Sequence, residues 1–166
     1  MNRERLSRLA DLLDQIHARE LPFNLKGWGG FVMEDGDVLE NLNTRNMVHV
    51  CGTTACACGH AALDPWFQAQ GLYLVAWRSD SDSALPVSSV EDLNTLLTRA
   101  KDNDWPDLSF SIQYQDNEGR LSIGWYAIEA FFDIGDETAN FLFAEESYVN
   151  RATAADVADR IRGLLG

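Results

Sequence analysis

The sequence predicts an α+β protein, a helical layer packed on a small antiparallel sheet. Three observations lead there. The stretches LSFSIQYQ (108–115) and RLSIGWYA (120–127) both alternate apolar with polar residues and flank DNEG, which reads as a hairpin over about 108–127 with one face buried. Near the amino end, Leu6, Leu9, Leu12, Leu13 and Ile16 recur at three-to-four spacing, which is one face of a helix over 3–19. At the far end Thr153 precedes AADVADRIRGLL, a capped helix over about 154–165 that directs Val157, Ile161, Leu164 and Leu165 inward.

The elements between follow in order. Leu21-Pro22 closes the first helix, because the residue before a proline is driven out of the helical region. FNLKGWGG is a loop with Phe23 and Trp28 as aromatic anchors. EDGD (34–37) is a turn signal, and an irregular stretch runs on to Asn46. MVHV (47–50) fits a short strand. A cysteine-rich helix over about 53–64 starts with Thr53 and Thr54 as caps, and Pro65 bends or ends it. Gly71 closes the next turn, LYLVAW (72–77) is a strand, and SDSDSALPVSS is a polar link. Ser88 with Glu91 forms a capping box for a helix over 89–101. AIEAFFDI and DETANFLFA are two short helices separated by Gly135, with Asp136 as a cap.

The chain has 166 residues, enough for one domain with a proper core, and 46% of them are apolar. Net charge is −13, from 26 acidic and 13 basic residues. Such a chain lacks the cationic footprint for phosphate backbones or anionic membranes, so neither direct nucleic-acid binding nor a membrane role is expected. The opening NRERLSRLADLLDQIHARE is charged throughout, with no apolar stretch of signal-peptide or bilayer-spanning length, which predicts a cytoplasmic protein. Three cysteines in a reducing compartment do not suggest a disulfide framework.

All three cysteines and two of the three histidines fall in HVCGTTACACGH (49–60). Three chemistries compete for it. Zinc would use Cys51, Cys56, Cys58 and His60, with His49 in reserve. The crowding into twelve positions and the lack of a distant second pair make a closed tetrahedron hard to build. A nucleophile would be Cys51 or Cys56 beside a helix start, with His60 or His17 as base; a Cys56–His60 dyad at i, i+4 is the workable form. Packing is the third: Ala55, Cys56, Gly59, Ala62 and Leu63 place small residues on a buried face, where free cysteine behaves as a small hydrophobe. Packing accounts for every residue type except His60 and needs no metal or cofactor.

CGTTACACGHAA resembles the CGT-x-x-C-x-x-G-x-A signature of uncharacterised small proteins of tailed bacteriophages and GC-rich bacteria. Cys51, Gly52, Thr53, Cys56, Gly59 and Ala61 match its recurrent positions, whereas Cys58 and His60 fall at variable ones. The segments FNL, AFFDIGDETANFLF and TAADVADRI extend the likeness in patches. The resemblance implies a bacteriophage setting, hence the cytoplasm of a bacterial host, and brings no activity with it.

Other constellations carry less. Asp102, Asp104 and Asp107 approximate a calcium-loop spacing but lack the glycine and the closing glutamate, since those positions hold Asp107 and Gln113. GWGG follows no strand and is no phosphate loop. The expectation is a small acidic accessory protein that acts by binding another protein, a basic one, and inhibits a host or defence nucleic-acid-binding complex during host takeover. Its acidic face would comprise Asp102, Asp104, Asp107, Glu145 and Glu146. The alternatives are a thiol-dependent enzyme or ligand sensor using Cys51, Cys56 and His60, and a virion structural component that packs as a homo-oligomer.

Overall fold

The computed structural model describes residues 1–21, 23, 25, 30–32, 38–39, 53–54, 56–78, 84–101, 108–149 and 152–166. Helices α1 (Arg3–Ala18), α2 (Ala57–Leu63), α3 (Pro65–Gln68), α4 (Val90–Lys101), α5 (Trp125–Phe132), α6 (Asp136–Phe143) and α7 (Ala154–Leu165) accompany strands β1 (Gly30–Val32), β2 (Val38–Leu39), β3 (Thr53–Thr54), β4 (Leu72–Arg78), β5 (Leu85–Val87), β6 (Leu108–Gln115) and β7 (Leu121–Ile123). The class is α+β, with a helical layer on an antiparallel sheet as the sequence predicts.

The main sheet has the order β5-β4-β6-β7, all antiparallel. Its centre is the long β4–β6 pair, registered from Leu72↔Tyr114 to Arg78↔Leu108. Alternation sorts its faces: Leu72, Leu74, Ala76 and Ile112 are buried in the core with the helices, while Gln113 and its partner Ile123 point the other way. A smaller three-stranded ribbon has the order β2-β1-β3.

The core joins Leu6, Leu9, Leu13 and Ile16 of α1 to Val157 and Ile161 of α7 and to Phe67, Phe131 and Phe132. Phe131 and Phe132 meet edge to face at 5.0 Å, and Tyr114 meets Phe131 the same way at 5.2 Å, a favoured ring arrangement. The Arg5 guanidinium lies 4.0 Å from the Phe131 ring centre and donates from Nε to Gln70 Oε1 at 2.8 Å. α1 and α7 run antiparallel: Arg3 donates to the Leu165 carbonyl at one end, and His17 and Ala18 lie beside Ala152–Ala154 at the other.

Caps set most boundaries. Asn2 accepts from the Arg5 N–H at 3.1 Å to start α1, which ends at Ala18, a residue earlier than the periodicity suggests. Thr153 and Asp156 form a reciprocal box at α7. Asp64 caps α3 through the Trp66 N–H at 2.9 Å, with Pro65 in the first turn.

Several local expectations are corrected. The cap of α4 is Ser89, whose Oγ accepts from the Asp92 N–H at 3.0 Å, not the Ser88–Glu91 pair. Gly135 caps α6; Asp136 is its first helical residue and accepts from Asn140 Nδ2 at 2.7 Å. The cysteine-rich helix begins at Ala57 rather than near Thr53, because Thr53 and Thr54 pair with Phe31 and Gly30 in β3. Part of the stretch expected to be irregular up to Asn46 is β2, paired with β1. The second hairpin strand stops at Ile123: Gly124, at φ +63°, turns the chain, and Trp125, Tyr126 and Ala127 open α5. Leu164 is exposed rather than inward, while Leu165 is half-buried. MVHV lies outside the described residues.

Candidate functional site

Cys56 is the residue that caps α2. Its backbone is extended, at φ −74° and ψ 176°, and its Sγ accepts from the Gly59 N–H at 3.3 Å. A thiol here does what a serine or aspartate usually does, satisfying a donor that the first turn leaves open. Cys58 is wholly buried in that turn. Burial pushes its thiol well above the ordinary range, and the hydrogen bond with Cys56 and the charge that Cys56 would carry push the same way. That is the reverse of an activated nucleophile, which needs its thiolate favoured. Both cysteines sit in the core cluster with Ala57, Ala61 and Ala62, an environment that supports the packing reading.

His60 stacks on Phe23, with ring centroids 6.2 Å apart and planes 9° from parallel. Among the described residues no group of three or more His, Cys, Asp or Glu side chains converges where a metal ion could sit. Cys51 and His49, members of the zinc and nucleophile readings, lie outside the described residues.

The proposed acidic face is only partly within view. Asp102, Asp104 and Asp107 lie outside the described residues. Glu145 opens the 3-10 turn Glu145–Ser147 that follows α6, and Glu146 is exposed beside it. Asp136 and Glu137, in the first turn of α6, are exposed too. Among the described residues, neither they nor Glu146 are ion-paired. Other carboxylates are engaged: Asp116 and Glu118 with Arg120, Asp11 and Asp14 with Arg162, and Asp133 with the Met1 amino group at 2.8 Å.

Two arginines, Arg5 and Arg160, are turned to internal work. Arg160 lies 3.5 Å from the Tyr148 ring centre and 4.7 Å from that of Phe141, and donates to the carbonyls of Phe141 and Ser147. Arg5 is similarly held by Phe131 and Gln70. Planar guanidinium groups that stack on rings and reach carbonyls in this way serve the fold rather than a ligand.

Sequence reasoning did not find a cleft of about 410 Å³ between the end of α1 and the start of α7. His17, Glu20, Leu21, Phe23 and Thr153 line it. Its walls come from opposite ends of the chain, so no local motif announces it. His17 also helps Thr153 hold the Asp156 carboxyl below its usual range, the bonds to Thr153 being the larger cause.

Among the described residues no helix is long and apolar enough to cross a membrane. In comparisons with known proteins, no family model, no curated protein and no solved structure matches the chain.

Proposed function

We propose that the protein acts by binding another protein, a basic one, through an acidic surface. The observation that carries this reading is the division of labour among its charges. Arg5, Arg120, Arg160 and Arg162 are occupied within the chain, whereas Asp136, Glu137 and Glu146 stand exposed with no cation paired to them among the described residues. The outward field of a chain of net charge −13 is then set by its carboxylates. A field of that sign steers a cationic partner in and keeps nucleic acid out. The bacteriophage setting, and inhibition of a host or defence nucleic-acid-binding complex, rest on the signature CGTTACACGHAA and on this charge.

The test is charge reversal. Asp136, Glu137 and Glu146 are changed to Lys, together with Asp102, Asp104, Asp107 and Glu145. Binding is then measured against a partner recovered from the bacterial host. The expected result is at least a tenfold fall in on-rate, which raising the salt reproduces in the unaltered protein, with Tm within a few degrees. A partner held equally well by the reversed variant, or a gel shift of short duplex DNA at physiological salt, overturns the reading.

A further inference from the structure

Among the described residues no strand pairs with the outer side of β5 or of β7, and a proline guards the first of these edges. β5 carries Pro86 at its centre, opposite Val75, and a proline on an edge strand denies one donor to any newcomer. β7, at the other edge, has neither proline nor charge; Leu121 through Tyr126 reads LSIGWY. The same six residues hold four of the exposed large apolar side chains: Leu121 at 54%, Ile123 at 41%, Trp125 at 37% and Tyr126 at 76% exposure. The nearest turn is largely self-neutralised, with Arg120 paired to Asp116 at 2.7 Å and to Glu118 at 3.2 Å.

The ladder fixes which backbone groups remain available. The Gly124 N–H donates to Ile112 and the Asp116 N–H to Arg120, so by alternation Ser122 is the β7 residue bonded to β6. Leu121 and Ile123 therefore direct their N–H and C=O groups away from the sheet. Their side chains share the face that points away from the helices, because Ile123 is registered with Gln113 and Leu121 with Gln115.

We propose that β7 pairs with β7 of a second copy, antiparallel about a two-fold axis at Ser122, and joins two four-stranded sheets into one. This inference is independent of the acidic-surface reading. In that register Leu121 faces the twin's Ile123 and the reverse, and each pair exchanges two N–H···O bonds. Every outward polar group of both three-residue strands is then satisfied, which a shifted register would not achieve. The four aliphatic side chains come together on one face as cross-strand pairs. Charge favours this site over others on the surface, since an uncharged stretch is where a strongly acidic chain can meet its own copy with least repulsion.

The exposed side chains offer on the order of 400 Å² of apolar surface, about half of what each partner contributes to an interface of standard size. An interface smaller than the standard size predicts a dimer that forms as concentration is raised.

Sedimentation velocity of the full chain from low to high micromolar concentration tests the proposal. The expected result is a shift from monomer to dimer mass. Leu121→Lys and Ile123→Lys should each weaken the dimer at least tenfold with Tm within a few degrees. A second variant fixes the register without relying on those. Ser122→Cys places two thiols across a non-hydrogen-bonded pair, where Cα atoms lie about 4.5 Å apart, within disulfide reach. Oxidised glutathione should convert Ser122→Cys, and not the unaltered protein, to a covalent dimer that stays folded. A monomer mass throughout overturns the proposal. So does a dimer that both lysine variants leave intact, or a Ser122→Cys protein that does not cross-link.

Discussion

The Arg160 guanidinium lies over the Tyr148 ring at 3.5 Å and ties the 3-10 turn after α6 to α7 through Ser147. Arg160→Ala removes the cation–π contact and takes a donor from the Ser147 carbonyl and from the Phe141 carbonyl, which keeps the Ser147 hydroxyl at 3.0 Å. The cost should be about 2–3 kcal/mol, read from urea unfolding. Arg160→Lys should recover less than half, since an ammonium cannot stack and reach both carbonyls.

Tyr148 itself titrates late. Burial raises its hydroxyl to about 12, against the opposing pull of Arg160. Its folded value exceeds the unfolded one, so the stability it contributes is complete below about pH 10 and declines as pH rises from there towards 12. Ultraviolet titration should show a tyrosine that ionises near pH 12 and is missing from Tyr148→Phe, and stability should fall as pH rises towards that value. Tyr148→Phe should flatten the fall.

The two described cysteines should respond differently to serine. At Cys58, wholly buried, a more polar hydroxyl keeps at best the bond with Cys56 and otherwise meets apolar neighbours, which should cost about 1–3 kcal/mol. At Cys56 the side chain already accepts from the Gly59 N–H, a task serine performs well at an N-cap. Cys56→Ser should therefore cost less than about 1 kcal/mol, and chemical denaturation of both variants checks the order. A thiol reagent should label neither residue in the native protein much faster than global unfolding allows.

Gly71 admits no side chain. Its φ is +90°, and a Cβ there would sit 2.1 Å from the Gln115 carbonyl oxygen, which ends β6. Gly71→Ala combines left-handed strain with a backbone clash and should cost at least ~2 kcal/mol. Thermal melting checks it, with Gly119→Ala as control: that residue also has positive φ, at +81°, but open space around it.

Thr153 and Asp156 give a prediction with a sign in acid. The bonds from Thr153, and more weakly the charges of His17 and Arg160, hold the Asp156 carboxyl below its usual range. A depressed carboxylate lends stability that is present above its unfolded pKa and is lost as pH falls through the folded one. Thr153→Ala should cost about 1 kcal/mol near neutral pH and progressively less in acid. An equal cost at both ends of the titration would falsify the coupling.

Much of the architecture is legible in the residues because local chemistry and global packing agree there. The α1 stripe and the Thr153 cap are instances: amphipathic period and cap chemistry point to the same helices. The cysteine-rich segment misleads because Thr53 and Thr54, good caps in isolation, are held by pairing with β1, a partner remote in sequence. The second hairpin strand misleads because SIGWYA keeps its alternation across Gly124, where one positive φ changes the structure. Ser88 and Ser89 are both plausible caps, and only the bond from the Asp92 N–H distinguishes them. Of the candidate site, the burial of Cys56 follows from the small-residue pattern, whereas that of Cys58, outside the face the pattern predicts, does not. The exposure of the LSIGWY edge does not, since apolar alternation alone cannot tell an inner strand from an outer one.

The antiparallel pairing of α1 with α7 has a consequence for biogenesis. On the ribosome α1 emerges well before α7, so the stripe of Leu6, Leu9, Leu13 and Ile16 stays without its α7 cover until α7 has been made. Closing that contact also requires a loop that contains every element from α2 to α6, the kind of non-local step that slows folding. A circular permutant that joins the two helices through a short linker should fold faster without any new contact in its core.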